Sequence, residues 1–154
     1  MTGSFEVSSV EETWALAKRL AAELKPGDVV RLEGDLGAGK TTFVQGLAAA
    51  LGVAGRVTSP TFCLVQEHRG DGVLLVHMDL YRLRDEDDVL AIGWEDYLAE
   101  GAIVAVEWPE RAGSLIPEDA IRVVFTHLDG DERRRIDICA KPRVGFEPTC
   151  PCGS

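Results

Sequence analysis

Apolar residues Val10, Trp14, Ala17, Leu20, Ala21 and Leu24 recur at steps of three and four, which predicts one amphipathic helix over about 10 to 25. Ser9-Val10-Glu11-Glu12 has capping-box form at its start, and Pro26-Gly27 follows Lys25 at its end. Asp28 to Glu33 then concentrates Val29, Val30 and Leu32 in a short run suited to a strand buried on both faces. A glycine-rich turn at 34 to 39 leads into a second helical segment, Thr41 to Leu51, stopped by Gly52.

Thr58-Ser59-Pro60 interrupts the pattern. Thr61 to Glu67 and Val73 to Leu80 read as adjacent strands around the turn signal Arg69-Gly70-Asp71-Gly72. The acidic stretch Asp85 to Asp88 opens a helix near 86 to 92, Glu95 to Glu100 adds a further turn, and Ala102 to Glu107 is a second continuous apolar strand. Pro109 and Pro117 mark the loop beyond it. Ala120 to Leu128 and Arg133 to Ala140 flank Asp129-Gly130 as an antiparallel hairpin expected to close one edge of the sheet. Met1 to Glu12 offers no apolar core segment. Helices alternating with buried strands predict an α/β domain over 1–140, mostly parallel, with helices on the sheet's faces. Residues 141–154, rich in Pro, Gly and Cys, read as a disordered tail.

Composition narrows the function. Sixteen Lys+Arg against 26 Asp+Glu give a formal charge of -10, which argues against direct binding of nucleic acid, since phosphate contacts rest on clustered basic residues. The one basic cluster, Arg133-Arg134-Arg135, reads as a solvated strand end. No apolar run reaches membrane-spanning length and no leader pattern appears at the start. Cys63 and Cys139 lie in apolar segments and Cys150 and Cys152 near the end, which is no disulfide framework; a reducing, cytoplasmic setting is expected.

Gly34-Asp35-Leu36-Gly37-Ala38-Gly39-Lys40-Thr41 satisfies G-x-x-x-x-G-K-[ST], with a predicted strand before it and a predicted helix after it. Glycines at 34, 37 and 39 let backbone N–H groups surround phosphate oxygens, and the helix start adds its positive dipole end. Lys40 would reach the β and γ phosphates, and the Thr41 hydroxyl would ligate Mg²⁺. The expected architecture is therefore a P-loop NTPase three-layer sandwich. The chain contains no asparagine, so it cannot carry the Asn-Lys-x-Asp element by which many P-loop switches select guanine. ATP is favoured.

Such a site needs a carboxylate at the end of a neighbouring buried strand. Two strands qualify, ending at Asp79 and Glu107, and the residues alone do not rank them. The period of two puts His77 on the same face as Asp79. His68, His77 and His127 share no metal spacing and read as structural, with His77 placed to line the site.

Four segments in order carry a resemblance: Leu-Glu-Gly-Asp-Leu-Gly-Ala-Gly-Lys-Thr-Thr-Phe at 32 to 43, Thr-Ser-Pro-Thr-Phe at 58 to 62, His-Met-Asp-Leu-Tyr-Arg at 77 to 82, and Val-Glu-Trp-Pro-Glu at 106 to 110. Over about residues 8 to 140 the chain resembles the TsaE (YjeE) family, the ATPase component of bacterial tRNA threonylcarbamoyladenosine biosynthesis. The resemblance implies a small ATPase acting with a TsaB-TsaD complex, in which TsaD transfers a threonylcarbamoyl group to adenosine in ANN-decoding tRNAs. The chain itself would meet tRNA only indirectly.

By motif, the resemblance implies that Gly34 to Thr42 bind ATP, with Lys40 and Thr41 on phosphate and Mg²⁺ and Thr42 facing the phosphates. It implies that Asp79 and Glu107 are functional acidic residues, either of which could hold the metal, with Glu107 our choice for it and Asp79 for positioning water or switching; it also implies Thr61 in a switch-like segment and Trp108 facing nucleotide or partner. The helix around Thr13 would approach the adenine, and the hairpin around Arg133 and Arg134 would come near the nucleotide. Two other classes share the phosphate loop: a small-molecule kinase, for which Arg82, Arg84 and Arg111 would be lid arginines, and a nucleotide-dependent regulatory module without catalysis.

Overall fold

The computed structural model of the protein describes residues 1–34, 39–54, 64–128 and 133–140. In it the alternating elements assemble as β1 (Thr2–Val7), α1 (Val10–Ala21), β2 (Val29–Gly34), α2 (Lys40–Ala50), β3 (Val65–Arg69), β4 (Leu74–Asp79), α3 (Glu86–Ala91), α4 (Trp94–Ala99), β5 (Ile103–Glu107), β6 (Ile121–His127) and β7 (Arg134–Cys139). Two 3₁₀ turns, Pro109–Arg111 and Gly113–Leu115, follow β5. Among the described residues the strands form one seven-stranded sheet in the order β1-β7-β6-β2-β5-β4-β3. The central four pair in parallel and the strands on either side are antiparallel.

The pleat divides the core into two layers. Val30, Leu32, Leu75, Ala105 and Val123 pack against Leu16, Leu20, Phe43 and Leu47 of α1 and α2. The alternate residues Val29, Val76, Met78, Val104 and Val106 pack against Val89 and Trp94 of α3 and α4. All five residues of β5 are buried, which is why its sequence shows no alternation. The three-layer α/β architecture expected from the sequence is the one observed.

Some expectations change. The first helix ends at Ala21, four residues early; Leu24 still packs on the core, from the turn that follows. Met1 to Glu12 does contain a strand, β1, whose Phe5 and Val7 pack on the first core layer. Being an edge strand, β1 needs apolar residues on one face only, and its short pattern is lost among Thr, Ser and Glu. Consequently the β6–β7 hairpin does not close the sheet: β7 pairs on its far side with β1 from Thr2↔Cys139 to Val7↔Arg134. Cys139, expected as a free thiol, is disulfide-bonded. The Asp129-Gly130 turn and the expected tail at 141–154 lie outside the described residues.

Two glycines set the spacing around the second helix. Gly34 ends β2 at φ 129°, and a Cβ there would stand 2.2 Å from the carbonyl oxygen of Phe125 on β6. Gly46 lets α2 lie close on α1: a Cβ at that position would come within 2.8 Å of the Ala17 Cβ and 3.1 Å of the Trp14 Cα. Gly46→Ala should therefore lose stability although alanine is the better helix former by about 1 kcal/mol. Overpacking two rigid stubs costs about 1–3 kcal/mol, so a net loss of up to about 2 kcal/mol is expected in urea unfolding, and a raised midpoint would show that the helices separate freely.

Candidate functional site

Among the described residues, the amino end of α2 has the features of an anion site. Its N-cap is Gly39, which offers no side-chain acceptor to the first N–H groups, and its first turn holds no acidic residue. The other helices differ: α1 begins with Glu11 and Glu12, α3 with Glu86, Asp87 and Asp88, and α4 with Glu95 and Asp96. Free N–H donors and an uncompensated positive dipole end are the ingredients of a phosphate site. A cavity of about 440 Å³ opens here, lined by Ser9, Val10 and Thr13 at the start of α1, Val7 of β1, Gly39 and Thr42 of α2, and Arg134 of β7. Its size is that of a small-molecule pocket.

The mouth of this pocket exists because α1 begins where it does. Ser9 caps the helix, its Oγ accepting from the Glu12 N–H at 3.1 Å. Glu12 reaches back to Ser8, accepting from its N–H at 3.3 Å and its hydroxyl at 3.0 Å, so the reciprocal arm of the capping box lands one residue early. The Thr13 hydroxyl donates to the Ser9 carbonyl at 3.1 Å.

Beneath the same helix lies a buried polar group of three. Lys40 Nζ donates to the Gly34 carbonyl at 3.0 Å and stands 3.8 Å from Glu107 Oε1. Glu107 Oε2 is 2.8 Å from His77 Nε2. An ionised carboxylate only accepts, so the proton of that bond is on the histidine. Lys40 and Glu107 are each 8% exposed and His77 is fully buried. Sheet register brings them together: β2, β5 and β4 are successive parallel neighbours with Leu32↔Glu107 and Asp79↔Glu107 paired. The two candidate carboxylates therefore end adjacent strands on one level, at the carboxyl edge where α/β sheets bind ligands.

They are not equivalent. Glu107 is buried against Lys40, whereas Asp79 is partly exposed, with its Oδ1 accepting from the Tyr81 N–H at 3.0 Å and its own N–H donating to the Leu64 carbonyl at 2.9 Å. Just after Glu107, Trp108 takes a left-handed conformation at φ 58°, alone in that region among the described non-glycine residues. Its ring sits 4.9 Å from that of Tyr81, and both side chains are well exposed.

Of the residues singled out from sequence, Gly39, Lys40, Thr41 and Thr42 stand at the start of α2 and Gly34 at the end of β2; Lys40 reaches both Gly34 and Glu107, with Asp79 and Trp108 at the adjoining strand ends. Asp35, Leu36, Gly37, Ala38 and Thr61 lie outside the described residues. The Arg133–Arg135 cluster is a solvated strand end, as expected, in that Arg133 and Arg135 are exposed; Arg133 pairs with Glu6 at 2.9 Å and Arg135 with Asp137 at 3.2 Å, while Arg134 is partly buried and lines the cavity. Val7 lines the cavity without a signal in the sequence, because its place there depends on β1; Ser9 lies there as the cap of the helix whose start the sequence predicts. Arg84, offered as a lid arginine, is held by Asp88 at 3.3 Å.

His68 on β3 shares the sheet face of His77, and burial, with the nearby His77 second, pushes its pKa below the usual histidine value of 6.5. A histidine easier to protonate in the unfolded chain subtracts stability as pH falls through the unfolded value. The melting temperature should therefore drop between about pH 7 and about pH 5.5, and drop less in His68→Gln. Parallel curves for the two proteins would remove His68 from the acid response.

Residues 7–136 match the family model described as threonylcarbamoyl adenosine biosynthesis protein TsaE. A tRNA threonylcarbamoyladenosine biosynthesis protein TsaE from Bacillus subtilis is 47% identical over 124 residues, 80% of this chain and 77% of that protein. The protein of the same name from Aquifex aeolicus is 48% identical over 107 residues, 68% of this chain and 75% of the relative. The crystal structure of Bacillus subtilis YdiB superposes with a TM-score of 0.75 at 35% identity, covering 91% of this chain and 86% of that one. On the sequence match, its span and the shared fold, the chain belongs to the TsaE family.

Proposed function

We propose that the chain is a Mg²⁺-dependent P-loop ATPase that serves tRNA threonylcarbamoyladenosine biosynthesis as the cytoplasmic accessory of a TsaB-TsaD-like transferase complex. The observation that carries this reading is the meeting of three features at one helix end: Lys40 opposite a buried carboxylate, uncapped N–H groups, and a cavity of about 440 Å³ opening at Gly39 and Thr42. On this reading Gly34 to Thr42, including Asp35, Leu36, Gly37 and Ala38, cradle the phosphates, and the nucleoside lies in the cavity against α1 and Thr13. The name shared by the relatives supports the pathway.

Hard oxygen donors suit Mg²⁺, and Thr41 and Glu107 would hold it; the ion would neutralise phosphate charge during transfer to water. The fit rests on Glu107, a buried carboxylate whose counter-charge, Lys40, is itself the group expected to turn to phosphate. Asp79 is suited to position water or to report the nucleotide state. Its bonds reach Tyr81 on one side and Leu64 on the other, next to the segment that holds Thr61. Tyr81 in turn touches Trp108, so a change at Asp79 has a short route to an exposed aromatic pair fit to face a partner. The net charge of -10 fits docking to a basic, tRNA-holding complex better than contact with tRNA.

ATP hydrolysis by the purified chain, alone and with a TsaB-TsaD pair, tests the reading. Stimulation by the pair is expected, with Lys40→Ala reducing turnover by about 10²-fold or more, the scale of losing one transition-state charge partner. Phosphate delivered to a small acceptor would mean a kinase, and ATP binding without turnover beside the partners would mean a regulatory module.

Trp108→Gly separates strain from function. A non-glycine residue in the left-handed region costs about 1–2 kcal/mol, and an aromatic pair contributes about 0.5–1.5 kcal/mol. Stability is therefore expected within about 1 kcal/mol of wild type, while stimulation by the partner pair falls. Full stimulation of the Trp108→Gly variant would take this side chain out of the partner face.

A further inference from the structure

We propose that His77 is a positioning residue for the metal site: its Nε2–H holds Glu107 Oε2, leaving Oε1 as the oxygen turned to Lys40 at the start of α2. The proposal rests on the Mg²⁺-ATP reading given above. Oε2 is 2.8 Å from His77 and Oε1 is 3.8 Å from Lys40, so each oxygen has its own partner and the carboxylate plane is fixed from both sides. The two holds are unequal. Lys40 is the group a phosphate would draw away, whereas His77 sits within β4, fully buried, one pleat before Asp79.

The other ring nitrogen shows what the histidine is for. His77 Nδ1 is buried with no hydrogen-bond partner among the described residues. An apolar side chain would fill this place without an orphaned polar atom, so the bond to Glu107 is the one hydrogen bond the ring makes there, and it is aimed at the proposed ligand. Outer partners of ligating carboxylates fix their orientation, and losing one typically costs about 10–100-fold in metal affinity.

Amide side chains separate this role from packing. The glutamine amide nitrogen extends to about where Nε2 stands, while that of asparagine stops near Nδ1, out of reach of Glu107. Binding of a fluorescent ATP analogue to the full chain would be followed while Mg²⁺ is titrated, with a second series in EDTA and a melting curve for each protein. His77→Asn is expected to raise the half-saturating Mg²⁺ concentration by about 10-fold or more, with His77→Gln within about 3-fold of wild type. Nucleotide binding in EDTA should be equal in all three. Where His77→Asn does not fold, His77→Met replaces it, matching glutamine in length without a donor. Equal Mg²⁺ dependence in the donor-bearing and donor-free variants, whether both normal or both impaired, overturns the positioning role. A wild-type chain that binds the analogue with no Mg²⁺ dependence overturns the Mg²⁺-ATP reading itself, and the proposal falls with it.

Discussion

A carboxylate removed from water has to be held by opposite charge and donors, and the centre of this protein is arranged around meeting that demand at Glu107. Desolvating an ion costs several kcal/mol, and removing one partner of a buried pair leaves the other uncompensated. Lys40 and His77 answer from two different elements, α2 and β4, while β5 supplies the carboxylate. The amino end of α2 is thereby tied to the carboxyl edge of the parallel strands. Lys40 also donates to the Gly34 carbonyl, so the two ends of the glycine-rich segment are joined by one side chain.

That arrangement depends on register more than on local propensity. A slip of one residue between β4 and β5 would turn His77 and Asp79 to the face of α3 and α4. The slip is prevented by the apolar neighbours: Leu75, Ile103 and Ala105 belong to the layer under α1 and α2, and Val76, Met78, Val104 and Val106 to the other. The two hydrophobic layers thus aim the polar residues. Gly46 adds to this by letting α1 close on α2, which brings Ser9 and Thr13 to the edge of the cavity that Gly39 and Thr42 also line.

The central part of this is legible in the sequence because its signals are local. Gly34 to Thr41 is a contiguous motif between a strand and a helix, and the period of two puts His77 beside Asp79 without any fold in hand. What stays hidden depends on pairings distant along the chain. The bond between His77 and Glu107 spans 30 residues and needs the β4–β5 register to be seen. Ranking the two carboxylates needs burial, which only the packed sheet assigns. β1 is invisible because an edge strand with one apolar face needs few apolar residues, and with it go Val7, the true sheet edge, and the role of Arg134 at the cavity. The partner of Arg133 stays hidden for the same reason, since Glu6 lies on β1.

On the proposed reading, the contact between Lys40 and Glu107 also bears on why such an ATPase would depend on partners. If Lys40 is the phosphate ligand, nucleotide must draw it from a buried counter-charge, and whatever then compensates Glu107 decides how readily the site loads. His77 holds one oxygen throughout, and Mg²⁺ would take the place of the ammonium at the other. Loading on this reading would exchange one cation for another at a fixed carboxylate. The strands need not move, and the consequences are directed outward through the residues that follow them. Asp79 leads to Tyr81, and Glu107 to the left-handed Trp108, whose rings meet at the surface. A strained residue persists where its surroundings impose it, and here it joins the buried carboxylate to the exposed aromatic pair. If nucleotide binds as proposed, a site so constructed would stay almost rigid at its centre and present its nucleotide state at the surface through the residues that directly follow the two strands.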